Sequence, residues 1–234
     1  MMEKQEIDIL EELPKASVRS EEVWLDKSSV QDRIFYLSMK RLIDIVGSTI
    51  GLVLASPLLI YVAYRIRQEE PGSPIFFSQD RVGTNGKTFK MYKFRSMCVE
   101  AEEKLAELLD QNEIEGAMFK MKDDPRVTKI GKTIRAKSID EIPQLWNVLK
   151  GDMSLIGPRP PLVREVAEYT RYDLQRLYVK PGCSGLWQVS GRNDVGFYEM
   201  VDLDLEYIKS QSLLCDMKLI FRTIKIILKP NGAY

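Results

Sequence analysis

Residues 45–64 read Ile-Val-Gly-Ser-Thr-Ile-Gly-Leu-Val-Leu-Ala-Ser-Pro-Leu-Leu-Ile-Tyr-Val-Ala-Tyr, an apolar run without a charged side chain. About twenty such residues in one helix suffice to cross the hydrocarbon core of a bilayer. Basic residues flank both ends, with Lys40 and Arg41 before the run and Arg65 and Arg67 after it. A spanning helix usually carries its Lys/Arg excess on one side only, so these flanks indicate no preferred orientation.

Ser56 and Pro57 lie inside this run. A proline within a helix removes one backbone hydrogen bond and clashes with the preceding turn, which bends or breaks the helix. We therefore predict a membrane break at Ser56-Pro57 and a re-entrant hairpin over residues 39–70, whose two ends lie on the same membrane face. A kinked spanning helix and a buried hairpin in a soluble core are the alternatives.

Composition excludes several classes of protein. The chain has 234 residues, 34 basic and 34 acidic side chains, three cysteines and no histidine. The length suits one folded domain with an appendage, and the zero net charge argues against a nucleic-acid binder. Without histidine, Ser-His-Asp and Cys-His nucleophile systems and the zincin motif are excluded. The cysteines, widely spread at Cys98, Cys183 and Cys215, fit a reducing cytoplasm.

The regions flanking the apolar run differ in character. Residues 1–38 form a polar tail that lacks the pattern of a secretory signal, and residues 71–234 carry the folded domain. Within that domain, residues 75–97 alternate like a β-hairpin around a Gly-Thr-Asn-Gly turn. Residues 216–229 place Lys and Arg on one helical face and apolar side chains on the other. This pattern predicts a helix in a lipid interface, with packing of its apolar face on the core as the alternative.

The densest group of polar residues lies between residues 123 and 161. Pro143 is tolerated only in the first turn of a helix, so a helix should start near Asp140, where capping by Ser138 or Asp140 is one interpretation. The functional interpretation is that Arg135 and nearby lysines neutralise a diphosphate. Adjacent carboxylates can hold Mg²⁺ together with substrate phosphate, and an aspartate can act as a covalent nucleophile. The turn at 157–160, Gly-Pro-Arg-Pro, either presents a rigid guanidinium to a nucleotide or is an ordinary proline turn.

In order along residues 39–234, these motifs resemble the bacterial sugar transferases, small membrane-associated phosphoglycosyl transferases that act on polyprenyl phosphate. The matching residues are Lys40-Arg41 with Asp44, Ser56-Pro57, Lys93-Phe94-Arg95-Ser96-Met97, Asp124-Pro125-Arg126, Ser138 to Pro143, Leu149 to Ser154, Gly157-Pro158-Arg159-Pro160, Lys180-Pro181-Gly182, Gly185 to Arg192, and Asp204 with Tyr207. The Trp-Gln-Val-Ser-Gly-Arg segment resembles the members that begin exopolysaccharide, capsule or O-antigen repeat units.

The resemblance implies a site and a fold. Asp140 would be the nucleophile and Glu141 its partner, and both would hold Mg²⁺. The other implied site residues are Arg135, Lys93 and Arg95 for substrate phosphate, Pro158, Arg159 and Pro160 for the nucleotide, and Arg192 and Asp204 as additional candidates. The implied fold is an α/β chain of the α+β kind, mainly helical with a small β-hairpin. It would be monotopic, with a re-entrant N-terminal hairpin and interfacial amphipathic helices on the cytoplasmic face of the bacterial inner membrane.

The implied reaction has two steps. Asp140 attacks the sugar-bearing phosphorus of a UDP-hexose and UMP leaves, and undecaprenyl phosphate then takes the hexose phosphate, with galactose or glucose as the sugar. Membrane lipid, polysaccharide-assembly proteins or a second copy of the chain are the further partners expected. Two rival functions remain open at this point: a catalytically inactive membrane-surface protein that binds nucleotide sugars, and a hydrolase that transfers the phospho-sugar to water.

Overall fold

The computed structural model describes residues 23–101, 103–104, 121, 124–190 and 196–228. Within them the α-helices are α1 (Lys27–Gln31), α2 (Ile34–Glu69), α3 (Lys129–Ala136), α4 (Gln144–Lys150), α5 (Val163–Ala167), α6 (Arg171–Leu174), α7 (Leu186–Ser190), α8 (Phe197–Ser210) and α9 (Leu213–Leu228). The strands are β1 (Phe76–Val82), β2 (Thr88–Phe94), β3 (Ser154–Ile156) and β4 (Gly182–Ser184). Short 3₁₀ helices are Thr84–Gly86, Val99–Ala101, Ile139–Glu141 and Gln175–Tyr178. The predicted α+β character, mainly helical with a small hairpin, is confirmed for this part of the chain.

The apolar run forms the centre of α2, and the helix continues through Ser56 and Pro57. Pro57 has no N–H for the carbonyl of Val53, but the Ser56 hydroxyl donates to that carbonyl over 2.8 Å. The neighbouring serine thus supplies a donor to the carbonyl that the proline leaves without one. The α-helix thus has no gap at these two residues, and the membrane break at Ser56-Pro57 and the re-entrant course in a bilayer stay predictions.

Helix α2 is long and apolar enough to cross a membrane, and only 11% of its most apolar window is buried against the rest of the described chain. The exposed apolar side chains run along its whole length, with Phe35, Leu54 and Ile60 each more than 70% exposed. A core helix of a soluble protein would bury such a surface. The alternative of a buried hairpin in a soluble core is therefore not supported by the packing of this helix.

Both ends of α2 contact the same globular body. Near the N-terminal end, the buried Asp44 carboxylate accepts from the Ser154 hydroxyl at 3.0 Å and from the Leu155 amide at 2.9 Å. At the C-terminal end, the two carboxylate oxygens of Glu69 accept from the amides of Lys129 and Ile130 at 2.6 and 2.8 Å. Both ends of α2 therefore contact the domain that follows it in the chain.

The chain ahead of α2 is also attached to this body. The Leu25 amide donates to Gln175 Oε1 over 2.6 Å, and the Gln31 side chain donates to the carbonyl of Tyr178 over 2.8 Å. Val30 is buried among the core side chains. Residues 23–33 are thus packed on the domain, and α2 begins at Ile34, inside the predicted polar tail of residues 1–38.

The predicted hairpin is confirmed, with β1 and β2 antiparallel and Val82 opposite Thr88. Its turn uses Asn85 and Gly86, both with positive φ, which these two residue types tolerate best. Because side chains alternate across a strand, Phe77, Gln79 and Arg81 share one face with the β2 residues opposite them.

The second sheet pairs β3 with β4 in parallel, with Ile156 opposite Ser184. The strands approach so closely that a Cβ on Gly182 would overlap the amide of Gly157. Helix α8 packs its apolar stripe against this sheet, and Met200 and Leu205 are fully buried there. Fully burying each side chain of this size contributes roughly 1.5–3 kcal/mol to folding.

Helix α9 buries little of its apolar side. Leu219 is buried, whereas Phe221, Ile224 and Ile227 are between 47% and 65% exposed. The core-packing alternative predicts these three side chains to be covered, and the described chain does not cover them. Asp216, at the start of the helix, faces inward and accepts from Tyr36, Tyr207 and Lys40. This buried polar contact fixes α9 beside the N-terminal end of α2. Lys229 and Pro230, which end the predicted helix, lie outside the described residues.

Candidate functional site

A cleft of about 240 Å³ opens between the hairpin, the Ile139–Glu141 helix and the segments that follow β3 and β4. Its lining residues are Arg81, Met91, Lys93, Arg135, Ser138, Asp140, Glu141, Gln144, Arg159, Pro160, Gly182, Cys183, Trp187 and Gln188. Most of the predicted site residues therefore lie in one place, although they come from positions up to 67 apart in the chain.

Asp140 and Glu141 occupy the 3₁₀ helix Ile139–Glu141 rather than the start of a longer α-helix. Ser138 precedes them in the left-handed region, at φ 54°, without a capping side-chain hydrogen bond. The longer helix α4 begins only after Pro143, which occupies its N-cap position. The capping interpretation of Ser138 therefore fails, and the strained residue turns the two carboxylates into the cleft.

The Asp140 carboxyl is buried, with 7% of the residue exposed. Burial raises its pKa to about 6, Glu141 adds to the rise, and Lys93 and Arg135 oppose it. Near neutral pH the carboxylate is thus anionic but poorly solvated, which are the properties of a reactive nucleophile.

Lys93 comes from β2 and Arg135 from the last turn of α3. The Lys93 ammonium lies 2.7 Å from Glu141 Oε1. Helix α3 is held close to the hairpin because its Gly131 lies against the Ser96 carbonyl, where any Cβ would overlap. The sequence-predicted group of Lys93, Arg135, Asp140 and Glu141 is thereby brought together.

Arg159 and Pro160 line the opposite side of the cleft, after β3. Arg159 pairs with the buried Glu165 at 3.1 Å, which orients the guanidinium. Pro158 is buried, and its carbonyl accepts from the Gly182 amide at 2.8 Å. Pro158 therefore shapes the loop without lining the cleft, unlike the other two residues of the predicted Pro-Arg-Pro group.

Besides Pro158, three predicted site residues are not placed in the cleft. Arg95 donates from Nε to the carbonyl of Pro74 over 2.8 Å and lies over the Phe77 ring, outside the cleft lining. Asp204 is fully buried on α8 and pairs with Arg176 at 2.7 Å. Arg192 lies outside the described residues. For Asp204, the structure supports a packing role behind the site, since Arg176 also donates to the Arg159 carbonyl at 3.1 Å.

Sequence reasoning missed Arg81, Gln144, Trp187 and Gln188 as cleft residues. Arg81 is 7% exposed and donates to the Pro160 carbonyl at 2.9 Å. Burial and the neighbouring Arg159 lower the pKa of Arg81 to about 9, which leaves it cationic at neutral pH. One signal could have found it: Arg81 falls on the same hairpin face as Lys93 under strict strand alternation.

The donor set for Mg²⁺ is small. Among the described residues there is no group of three or more His, Cys, Asp or Glu side chains able to hold a metal ion. Asp140 and Glu141 are adjacent carboxylates in the cleft, and Glu141 Oε1 is already engaged by Lys93. Two carboxylates fit Mg²⁺ only as part of a shell completed by water and substrate phosphate oxygens, which is the mode Mg²⁺ prefers.

The chain is similar in sequence to proteins of one family. A family model described as bacterial sugar transferase matches residues 35–230. Galactosyl transferase CpsE of Streptococcus agalactiae is 51% identical over 199 residues, covering 85% of this chain and 44% of that protein. The undecaprenyl-phosphate galactose phosphotransferase of Salmonella typhimurium is 47% identical over 200 residues, covering 84% of this chain and 42% of that protein.

A shorter relative matches over most of its own length. The exopolysaccharide production protein ExoY of Rhizobium meliloti is 38% identical over 199 residues, covering 83% of this chain and 88% of that protein. The chain spans less than half the length of the first two relatives and most of the third. The family match includes α2, the hairpin and every described residue that lines the cleft, and the chain belongs to the bacterial sugar transferase family.

Proposed function

We propose that this chain transfers hexose 1-phosphate from a UDP-hexose to undecaprenyl phosphate and releases UMP, the first membrane step in assembling a polysaccharide repeat unit. The observation that carries the proposal is the cleft, where a buried aspartate lies among four cationic side chains. These are Arg81, Lys93, Arg135 and Arg159, against the two carboxylates Asp140 and Glu141.

The excess of positive charge suits a diphosphate donor. Glu165 balances Arg159 from behind the cleft, and Glu141 balances Lys93 within it. Arg81 and Arg135 also line the cleft, and neither forms an ion pair with a carboxylate of the described residues. Guanidinium groups bind phosphate oxygens with two parallel hydrogen bonds, so these two arginines are suited to the bridging phosphates of the donor.

In the first step, a carboxylate oxygen of Asp140 attacks the phosphorus that bears the hexose. The P–O bond to UMP breaks, and UMP leaves with that bridging oxygen and its electron pair. In the second step, a phosphate oxygen of undecaprenyl phosphate attacks the same phosphorus, and the Asp140 carboxylate leaves unchanged. Positioning and charge dispersal by the cationic side chains supply the main catalytic effect in phosphoryl transfer of this kind. Mg²⁺, held by Asp140, Glu141 and phosphate oxygens, would add further neutralisation of negative charge.

The exposed apolar surfaces support a membrane location on the cytoplasmic face. Since both ends of α2 bind the same domain through Asp44 and Glu69, a transmembrane path would place one of these contacts across the bilayer from the other. A re-entrant course avoids this and leaves the exposed centre of α2 in lipid. The exposed apolar side chains of α9 and its Lys218, Arg222 and Lys225 fit the lipid interface beside it.

The donor sugar is proposed as galactose or glucose. Two of the relatives carry galactose in their names, which favours UDP-galactose for this chain. The two sugars differ in the orientation of one hydroxyl group, so a single hydrogen bond in the cleft is enough to favour one of them.

The test uses the full chain in nanodiscs with UDP-galactose or UDP-glucose. UMP release, formation of a lipid-linked phospho-sugar and intact-protein mass are measured. With the donor alone, we expect one hexose phosphate added to Asp140 and UMP in equal amount, and ping-pong kinetics once undecaprenyl phosphate is added. EDTA should stop turnover and Mg²⁺ restore it.

Three outcomes would contradict parts of this proposal. Absence of UMP with every UDP-hexose would favour the inactive binding protein. Release of UMP and free hexose phosphate without a lipid product, in the presence of undecaprenyl phosphate, would favour the hydrolase. UMP release that requires the lipid acceptor in a ternary complex would contradict the covalent step.

A further inference from the structure

Three residues that line the cleft each carry a buried polar atom without a hydrogen-bond partner among the described residues: Arg81 Nε, Trp187 Nε1 and Gln188 Oε1. The other unpartnered buried atoms, Asp204 Oδ1 and Gln211 Nε2, belong to residues that do not line it. Buried polar atoms are nearly always paired in folded proteins, so a cluster of exceptions in one cleft calls for an explanation. A bound ligand that supplies the missing partners is the simplest one.

Trp187 and Gln188 are adjacent on α7, which follows β4. Because Ile156 of β3 pairs with Ser184 of β4 in parallel, the chain leaving each strand emerges at the same edge of the sheet. Helix α7 therefore starts beside the loop that carries Arg159. The Trp187 ring packs against the core around α8, which fixes its position.

The two unpartnered atoms have complementary requirements. The indole N–H of Trp187 is a donor, and the amide oxygen of Gln188 is an acceptor. A phosphate oxygen accepts from the indole but repels the amide oxygen, since both are acceptors. A hydroxyl group accepts one hydrogen bond and donates another, so the hydroxyl groups of one ligand suit either atom. The chemistry at this end of the cleft therefore suits a neutral, hydroxyl-bearing group.

We propose that Trp187 and Gln188 recognise the hexose of the donor, with its hydroxyl groups accepting from Trp187 Nε1 and donating to Gln188 Oε1. The inference rests on the proposed function and adds to it the residues that select the sugar. The imide edge of uracil also offers acceptors and a donor. The hexose is favoured because it is bonded directly to the phosphorus that Asp140 attacks, whereas a phosphate and a ribose separate uracil from that atom. Asp140, Trp187 and Gln188 line the same cleft of about 240 Å³.

The experiment compares kcat/KM for the preferred UDP-hexose with kcat/KM for its monodeoxy analogues, each lacking one sugar hydroxyl. We expect the wild-type chain to reject at least one analogue by about tenfold or more, since a hydrogen bond would be lost and buried atoms left unpaired. In Trp187→Phe and Gln188→Met that ratio should fall towards one for the same analogue and stay unchanged for the others. Trp24→Phe and Gln211→Met are the matched controls, because they make the same changes outside the cleft and should keep the wild-type ratio.

Two results would overturn the inference. One is a wild-type chain that turns over all monodeoxy analogues within twofold of the parent sugar, a measurement that needs no variant. The other is a loss of UMP affinity in the Trp187 and Gln188 variants, measured by calorimetry with UMP, which would assign these residues to the base. Failure of the proposed function gives a different signature, since the wild-type chain would then release no UMP from any UDP-hexose.

Discussion

Two groups of charged side chains in this protein contain the same residue types but have opposite roles. In the cleft, Asp140 lies among more cations than anions, and polar atoms nearby lack partners. Behind the cleft, the fully buried Arg176 donates to Asp204, to the Tyr169 hydroxyl and to the Arg159 carbonyl. The second, closed group is balanced in charge, although Asp204 Oδ1 has no hydrogen-bond partner among the described residues, whereas the first, open group has an excess of positive charge. Charge left uncompensated in an accessible cleft indicates binding and chemistry, and compensated charge in the core indicates structure.

The largest effect is expected when Asp140 becomes Asn. The substitution keeps the size of the side chain but removes the anionic nucleophile, so UMP release should fall by about a thousandfold or more. Thermal unfolding at pH 7 should shift upward by several degrees, since the buried charge is lost. Near-normal turnover of Asp140→Asn would contradict the assignment of the nucleophile.

Asp204→Asn makes the same chemical change in the closed group and should have the opposite effect: it should lower stability and leave turnover largely unchanged. Breaking a buried ion pair by removing one charge typically costs about 3–5 kcal/mol of stability, because Arg176 is left buried and unpaired. We expect a large loss of stability in denaturant unfolding, with turnover per folded molecule largely retained. A stable Asp204→Asn chain without activity would place Asp204 in the reaction instead.

Substitution of Arg81 tests the open group, with an expected effect on kinetics smaller than that of Asp140→Asn. Arg81→Lys keeps a positive charge but loses the planar guanidinium, so KM for the UDP-hexose should rise by about tenfold. The resemblance assigns phosphate binding to Arg95, whereas the structure ties Arg95 to Pro74 outside the cleft. Kinetics of Arg81→Lys and Arg95→Lys side by side decide between them. A larger KM effect at Arg95 would contradict the cleft as described.

The pKa of Asp140 gives a pH prediction. With a pKa of about 6 in the metal-free chain, raised mainly by burial, the carboxylate fraction of Asp140 should grow about tenfold from pH 5 to pH 7, and a titration profile of this carboxyl group without Mg²⁺, followed by infrared spectroscopy, measures it. Lys93 lowers this pKa, so Lys93→Met should move this profile to higher pH. An apparent pKa near 4 in both chains would contradict the burial argument.

Stability should respond in the opposite direction. Because the folded-state pKa is above the unfolded value, the folded chain holds the proton more tightly, and this contribution is present at low pH. It is lost as pH rises through about 6, by roughly 2–3 kcal/mol. Denaturant unfolding of wild type and Asp140→Asn between pH 4 and 7 measures it, and the difference between the two should vanish if the argument is wrong.

The sequence predicted the parts of this molecule whose cause is local. Asn85 and Gly86 between alternating strands define the hairpin, and the adjacent carboxylates at 140–141 stand out in any chain without histidine. Prediction failed where distant segments decide. Arg81 and Trp187 enter the cleft only because the hairpin and the β3–β4 sheet meet there.

The smallest effect concerns the link between the membrane helix and the open group. Glu69, the last residue of α2, binds the first two amides of α3, and the last turn of α3 carries Arg135. Negative charge at a helix N-terminus contributes typically 0.3–1 kcal/mol, so Glu69→Gln should cost about that much, and Glu69→Ala, which also leaves two amides unpaired, about 1–2 kcal/mol.

Thermal unfolding in nanodiscs at low ionic strength measures this effect. Glu70→Gln is the matched control, because it removes a charge one position further along without touching an α3 amide, and it should stay within about 0.5 kcal/mol of wild type. Raising the salt concentration should shrink the Glu69→Gln effect, since the helix-terminus interaction is screened, and leave most of the Glu69→Ala effect. Equal destabilisation at Glu69 and Glu70 would mean that α2 and α3 are joined by apolar packing alone, so that the position of Arg135 would not depend on this carboxylate.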